Sequence, residues 1–348
     1  MPAVLEVEDL TVTFGQGPRA VDALRGVSFA VRTGERVGIV GESGSGKSVT
    51  SQAVMRLLPS TASIGGSVRF DGQDVLSFRQ SRLAQWRGSE IAMIFQDPMS
   101  SLNPLIRVGP QITETLRRHR GMTRARATAV AVDLLRSVGI ADPERRMRDY
   151  PHAFSGGMRQ RVCIAIAISC APALIIADEP TTALDVTIQA QVLDVLDALA
   201  DDNGTAVILI SHDLGVVSSF CDRVMIMYAG RIVEYGPTDV IVRAPRHPYT
   251  QALLDSIPRM AGELPERLPT IPGTPPHGPA TLVGCPFAPR CPRAQDRCRT
   301  ETPPLDGETD DAGFACHFPL PGASYPDELA DPAAADTASA TVQRGDTP

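Results

Sequence analysis

Apolar and polar residues alternate along 4–12 and 27–33, the two-residue period of strands that bury one face. Arg36–Val40 reads as a further strand that runs into a glycine-rich turn and then a helix from about Lys47 to Leu58. Short strands are expected near 67–70 and 91–95. Between 104 and 170 the period becomes helical, clearest in Gln111–Leu116 and Ala129–Val138. Leu174–Ala177 and Ala206–Ile210 are unbroken apolar runs, as strands covered on both faces require, and the helix Thr187–Ala200 separates them. Val224–Tyr235 predicts a β-hairpin turning at Ala229-Gly230. Strands alternating with helices predict an α/β core with an inserted α-helical subdomain.

Periodicity fades after about residue 258. Prolines crowd the stretch from Pro258 to Pro304, and four of the seven cysteines lie beyond residue 284. From about Leu320 the chain is rich in Ala, Asp and Pro, with Arg344 as its one basic residue. The expected organisation is a core over 1–257 with its helical subdomain at about 97–165, then a small Cys/Pro-rich C-terminal extension over 258–319. The tail, 320–348, buries too little apolar surface to offset its ordering entropy, so disorder is expected there. No internal repeat is visible, so each chain carries one copy of its motifs.

Composition narrows the function. An apolar content of 43% suffices for a sizeable core, and a net charge of −7 argues against coating nucleic acid. The longest apolar run, Val162–Ala177, is broken by Ser169 and Pro172 and falls short of the ~20 residues that cross a bilayer. With no export signal at the start, the chain is expected to be soluble, to meet a membrane only through partners, and to keep its cysteines reduced. Of 33 Lys plus Arg, Lys47 is the single lysine. Such an exception marks a position where a compact ammonium cannot be exchanged for a planar guanidinium.

The neighbours of Lys47 explain it. Gly41-Glu42-Ser43-Gly44-Ser45-Gly46-Lys47-Ser48 fits G-x-x-x-x-G-K-S between a strand and a helix, the context a phosphate-binding loop requires. Glycines let backbone N–H groups curl around phosphates, and a helix N-terminus adds ~0.3–2 kcal/mol. That is too little alone for a triphosphate, so Lys47 supplies full charge and Ser48 a Mg²⁺ ligand. The expected nucleotide contacts are Gly41, Ser43, Gly44, Ser45, Gly46, Lys47, Ser48 and Val49. The strand Leu174–Ala177 then ends in Asp178-Glu179: Asp178 suits Mg²⁺, and Glu179 can polarise an attacking water as general base.

These features fix nucleotide binding but are shared by kinases, GTPases and transporters. Phe154-Ser155-Gly156-Gly157-Met158-Arg159-Gln160-Arg161 distinguishes among them. With it, roughly residues 4–250 resemble the ATP-binding-cassette (ABC) family of P-loop ATPases, in which this signature loop closes over the ATP of a second subunit through Ser155, Gly156 and Gly157. Phe154 and Met158 depart from the commonest signature, which has Leu and Gln there. The resemblance implies that Gln96 contacts Mg²⁺ or water and communicates with membrane subunits, that Asp185 crosses the dimer interface, and that His212 contacts the γ-phosphate. Phe14 is a candidate for stacking on adenine.

The extension narrows the family. Cys285, Cys291, Cys298 and Cys316 follow C-x5-C-x6-C-x17-C, which fits zinc poorly because zinc sites prefer C-x2-C pairs. With Ile271-Pro272-Gly273, Pro275-Pro276 and His247-Pro248-Tyr249-Thr250, this region resembles the oligopeptide and dipeptide permease ATPases. In that group the four thiols can hold a 4Fe–4S cluster; zinc, free thiols, and His317 as an alternative ligand are the other readings. Cys163, Cys170 and Cys221 read as core residues. The resemblance implies an ATPase at the cytoplasmic face of the cell membrane, driving uptake of peptides or of another small solute such as a nickel chelate. Its implied partners are a second, paralogous ATPase subunit, two transmembrane permease subunits and an extracytoplasmic solute-binding protein. A cassette ATPase without a transporter is the rival reading.

Overall fold

In the computed structural model, the described residues are 2–97, 101–180, 186–257, 270–276, 282–309 and 312–321. The strands in chain order are β1 (Ala3–Phe14), β2 (Val21–Arg32), β3 (Arg36–Val40), β4 (Ala62–Phe70), β5 (Gln73–Asp74), β6 (Ile91–Ile94), β7 (Leu174–Asp178), β8 (Ala206–Ser211), β9 (Arg223–Tyr228), β10 (Arg231–Pro237), β11 (Asp306–Thr309) and β12 (Ala312–Phe314). They form an antiparallel sheet ordered β2-β1-β4-β5 and a mixed sheet ordered β11-β12-β10-β9-β3-β8-β7-β6. In the mixed sheet β9, β3, β8, β7 and β6 are mutually parallel, and the β10 side is antiparallel.

The central strands are apolar between their ends because they are covered twice. Ile175 and Ala177 of β7 face one cluster, with Leu209 of β8 and Ile226 of β9, whereas Leu174 and Ile176 face another with Ile208 and Ile210. The second cluster is roofed by Val7, Val12 and Val68 of the antiparallel sheet. The first continues into the helical lobe through Ile112 and Leu116 of α2 (Val108–Arg120), Ala127 and Ala131 of α3 (Arg124–Ser137), and Val162 and Ala165 of α4 (Gly156–Ile168). Those small alanines let the three helices approach closely. The lobe and the sheet therefore share one apolar core.

The extension does not stand apart from the sheet. Gly313 and Phe314 of β12 pair with Tyr235 and Glu234 of β10, so the last described strands lengthen the mixed sheet. Sequence reading gave no strand there, because the two segments have four and three residues and each contains glycine. No helix among the described residues is long and apolar enough to cross a membrane. The tail that sequence predicts to be disordered lies, beyond residue 321, outside the described residues.

Candidate nucleotide-binding site

The phosphate loop joins β3 to α1 (Lys47–Val54). Its glycines answer two constraints. Gly46 sits at φ +108°, and an added Cβ would lie 2.8 Å from the Leu24 side chain. Gly41 lacks room: a Cβ would lie 2.3 Å from the Met227 carbonyl oxygen. The Gly230 N–H donates to the Ser45 carbonyl at 2.8 Å, which ties the loop to the β9–β10 hairpin. Ser43 and Gly44 are exposed, whereas Ser45 and Lys47 are buried and Val49 packs partly against the core.

Lys47 Nζ donates to the carbonyls of Gly41 at 2.6 Å and Glu42 at 2.9 Å. Burial lowers its pKa from the ordinary lysine value, and Glu179, Asp178 and Glu42 oppose that shift. Beneath it, Ser48 Oγ donates to Asp178 Oδ1 at 3.1 Å. Burial raises Asp178 above the usual carboxylate range, a shift that the Ser48 hydrogen bond and Lys47 resist while Glu179 adds to it. A hydroxyl and a buried carboxylate at this spacing are hard oxygen donors and fit Mg²⁺.

The next residue turns sharply. Glu179 is held at φ +47°, with its N–H on the Ile210 carbonyl at 2.9 Å. A side chain in the left-handed region costs on the order of 1–3 kcal/mol and recurs at functional sites. The turn brings Glu179 Oε2 to 2.9 Å from Gln96 Nε2 and 3.3 Å from His212 Nδ1. Topology explains the meeting. In the order β3-β8-β7-β6, the carboxyl ends of four neighbouring parallel strands deliver, in turn, the phosphate loop, His212, Asp178-Glu179 and Gln96.

The other expected residues are placed less centrally. Ser155 caps α4 by accepting from the Met158 N–H at 3.3 Å, and Ser155 and Gly156 are exposed with Gly157 half-buried behind them. Phe14 ends β1 and packs partly against the core. Asp185 lies outside the described residues. Cys285, Cys291, Cys298 and Cys316 line one cavity with His247, Phe287 and His317. Cys163 and Cys221 are buried in the main apolar cluster, and Cys170 is buried as well.

Sequence reading missed two groups beside the loop. The Glu42 N–H donates to Tyr249 Oη at 2.9 Å, and Arg290 meets the Glu42 carboxylate. An acid inside a phosphate-binding loop was the available signal, since such a charge needs a partner.

Comparison with known proteins decides the family. The ABC transporter model matches residues 24–182, and the model of the oligopeptide/dipeptide transporter C-terminal region matches residues 233–298. The oligopeptide transport ATP-binding protein OppD of Salmonella typhimurium is 49% identical over 317 residues, 91% of this chain and 94% of that protein. The chain belongs to the ABC transporter family. Within it, the chain is an ATP-binding subunit of the oligopeptide/dipeptide type: the dipeptide transport ATP-binding protein DppD of Escherichia coli is 47% identical over 325 residues, 93% of this chain and 99% of that one. Among solved structures, a dimeric ATP-binding cassette, MJ0796, bound to ADP and Pi, is 28% identical with a TM-score of 0.61, covering 67% of this chain and 98% of the other. The ABC cassette fold, ATP binding and ATP hydrolysis follow from this membership.

Proposed function

We propose that the chain is the ATP-hydrolysing subunit of an importer that energises uptake of di- and oligopeptides from the cytoplasmic face of the cell membrane. The observation that carries the catalytic part is the convergence of Gln96 and His212 on Glu179 Oε2, one residue beyond the Ser48–Asp178 pair. Lys47 exchanges its two loop carbonyls for the β- and γ-phosphates, and the N–H groups of Ser43–Val49 wrap the same oxygens. Glu179 accepts a proton from the attacking water, while Gln96 and His212 hold its carboxylate and the γ-phosphate in line. Mg²⁺, when bound, neutralises phosphate charge, and Ser48, Asp178 and Gln96 are the side chains that would hold it.

Half of the site is to come from elsewhere. Ser155, Gly156 and Gly157 present an exposed helix N-terminus suited to a phosphate on a second cassette, with Asp185 at the junction and Phe14 beside the adenine. A dimeric relative bound to ADP and Pi supports this arrangement. The second cassette is a paralogue, and the complex includes two permease subunits and a solute-binding protein. Peptide as cargo rests on the names of the curated relatives. Glu179→Gln tests the mechanism: it should still bind ATP and lose at least ~100-fold in hydrolysis, and normal turnover would refute the assignment. Peptide uptake by the reconstituted complex tests the cargo.

The extension is read as a four-thiolate site for a 4Fe–4S cluster. Cys285, Cys291, Cys298 and Cys316 come from separate segments of the extension yet line one cavity. Among the described residues no three His, Cys, Asp or Glu groups are spaced for a single metal ion. What supports the cluster reading is the donor type and number: four thiols on one cavity are what a 4Fe–4S cluster takes. Iron analysis of anaerobically purified protein tests this; a colourless, iron-free chain would count against it.

A further inference from the structure

Glu42 is an acid inside a loop built to bind an anion. Its carboxylate accepts from Arg290 Nη1 at 2.5 Å and Nη2 at 2.9 Å, a bidentate pair spanning 248 residues of sequence. The remaining donors of the guanidinium are used as well. Nε donates to the Pro272 carbonyl at 2.8 Å, Nη2 to the Ile271 carbonyl at 3.4 Å, and Nη1 to Tyr228 Oη at 3.3 Å. All five N–H groups of Arg290 therefore have partners, and the side chain is 4% exposed. Its backbone is fixed too, because Phe287, three residues earlier, packs on Tyr228 and Tyr249 with centroids 5.4 and 5.3 Å away. Tyr249 in turn receives the Glu42 N–H. The extension thus grips the side chain of one phosphate-loop residue through Arg290, and braces its backbone indirectly, by packing Phe287 on Tyr249.

We infer that Arg290 is a positioning residue for nucleotide binding, which turns the Glu42 carboxylate away from the phosphates and cancels its charge. The inference rests on the reading of residues 41–49 as the phosphate site. With Arg290 absent, a full negative charge remains in the loop beside the incoming triphosphate. That repulsion acts in a partly desolvated setting, where charges are weakly screened. Arg290 touches no phosphate; it works through Glu42 alone. A lysine keeps the charge without the two-pronged grip, so it should substitute only in part.

Titration of the intact chain with trinitrophenyl-ATP at fixed ionic strength tests this, alongside Lys47→Ala as a non-binding control. Arg290→Gln should weaken affinity by roughly tenfold, and raise KM for ATP far more than it lowers kcat. Arg290→Lys should lie between. The deciding variant is Glu42→Gln combined with Arg290→Gln, which removes both charges and should recover affinity to within about threefold of the natural chain. A double variant as weak as Arg290→Gln, or an Arg290→Gln chain that binds normally while Lys47→Ala does not, would overturn the inference. A natural chain that binds no better than Lys47→Ala would instead remove the phosphate-site reading, and the inference with it.

Discussion

Gln96 Nε2 lies 2.9 Å from Glu179 Oε2, although 83 residues separate the two in sequence. Gln96 follows β6 and Glu179 follows β7, two strands paired in parallel, so the contact is set by register and not by a local turn. An amide donating to the carboxylate orients it without protonating it. Gln96→Ala should lower kcat on the order of 10-fold, since one orienting hydrogen bond to Glu179 is lost, and leave ATP affinity within a fewfold of normal, since Ser48 and Asp178 remain to hold Mg²⁺. Steady-state ATPase measurements separate these two effects.

Lys47 predicts a discrimination between two cations of equal charge. Its Nζ fits between the Gly41 and Glu42 carbonyls at 2.6 and 2.9 Å, inside a loop whose glycines leave little spare volume. A guanidinium is wider and planar. Lys47→Arg should therefore weaken ATP binding by on the order of 100-fold, approaching Lys47→Ala, because two charged hydrogen bonds to phosphate are misplaced. Equilibrium binding of a fluorescent nucleotide gives the ratio directly.

Much of this site is legible without coordinates. The phosphate loop and Asp178-Glu179 sit at strand ends whose apolar runs announce them, whereas Gln96 and His212 are named by the family resemblance; the sheet order then brings the four together. The Ala229-Gly230 hairpin and the helical stretch between 104 and 170 are legible for the same reason, a local period or turn. What escapes is long-range and polar. Nothing near Glu42 in sequence names Arg290 as its partner. Likewise β12 carries too few residues to show a period, and its pairing with β10 depends on the chain returning after more than seventy residues. Exposure of Ser155 is legible only as a helix cap, since its expected ligand is on another chain.

Cysteine reactivity should divide the seven thiols. Burial pushes Cys163 up to about 12 and Cys221 higher still, so almost no thiolate exists on either at neutral pH. Burial also raises Cys285, Cys291 and, to about 11, Cys316, but these are less enclosed. In metal-free native protein, iodoacetamide at pH 8 should label Cys285, Cys291 and Cys316 well before Cys163 and Cys221. Their rates should climb roughly tenfold per pH unit while the pH stays below each pKa. Peptide mass spectrometry resolves the order, and equal labelling of Cys163 and Cys291 would refute it.

His247 makes the chain sensitive to acid in a definable window. The ring is buried, its Nδ1 accepts from the Tyr249 N–H at 3.0 Å, and it is hydrogen-bonded to the Ala315 backbone. The His247 N–H also donates to Glu234, a wholly buried side chain, at 3.1 Å. Burial drives the His247 pKa down to about 3, against an ordinary value of 6.5. Between those limits the unfolded chain takes up a proton that the folded chain refuses. This contribution to stability is therefore complete above about pH 6.5 and is lost as the pH falls towards 3, with a limiting slope near 1.4 kcal/mol per pH unit. His247→Asn keeps an acceptor for the Tyr249 N–H at this helix N-cap but has no proton to gain. It should cost about 1–3 kcal/mol at pH 8, for the lost contact with Ala315 and the smaller volume. Towards pH 5 the gap to the natural chain should narrow, as only the natural chain pays for an unprotonated histidine; a gap in urea midpoints that stays constant between pH 8 and 5 would show that His247 titrates normally in the fold.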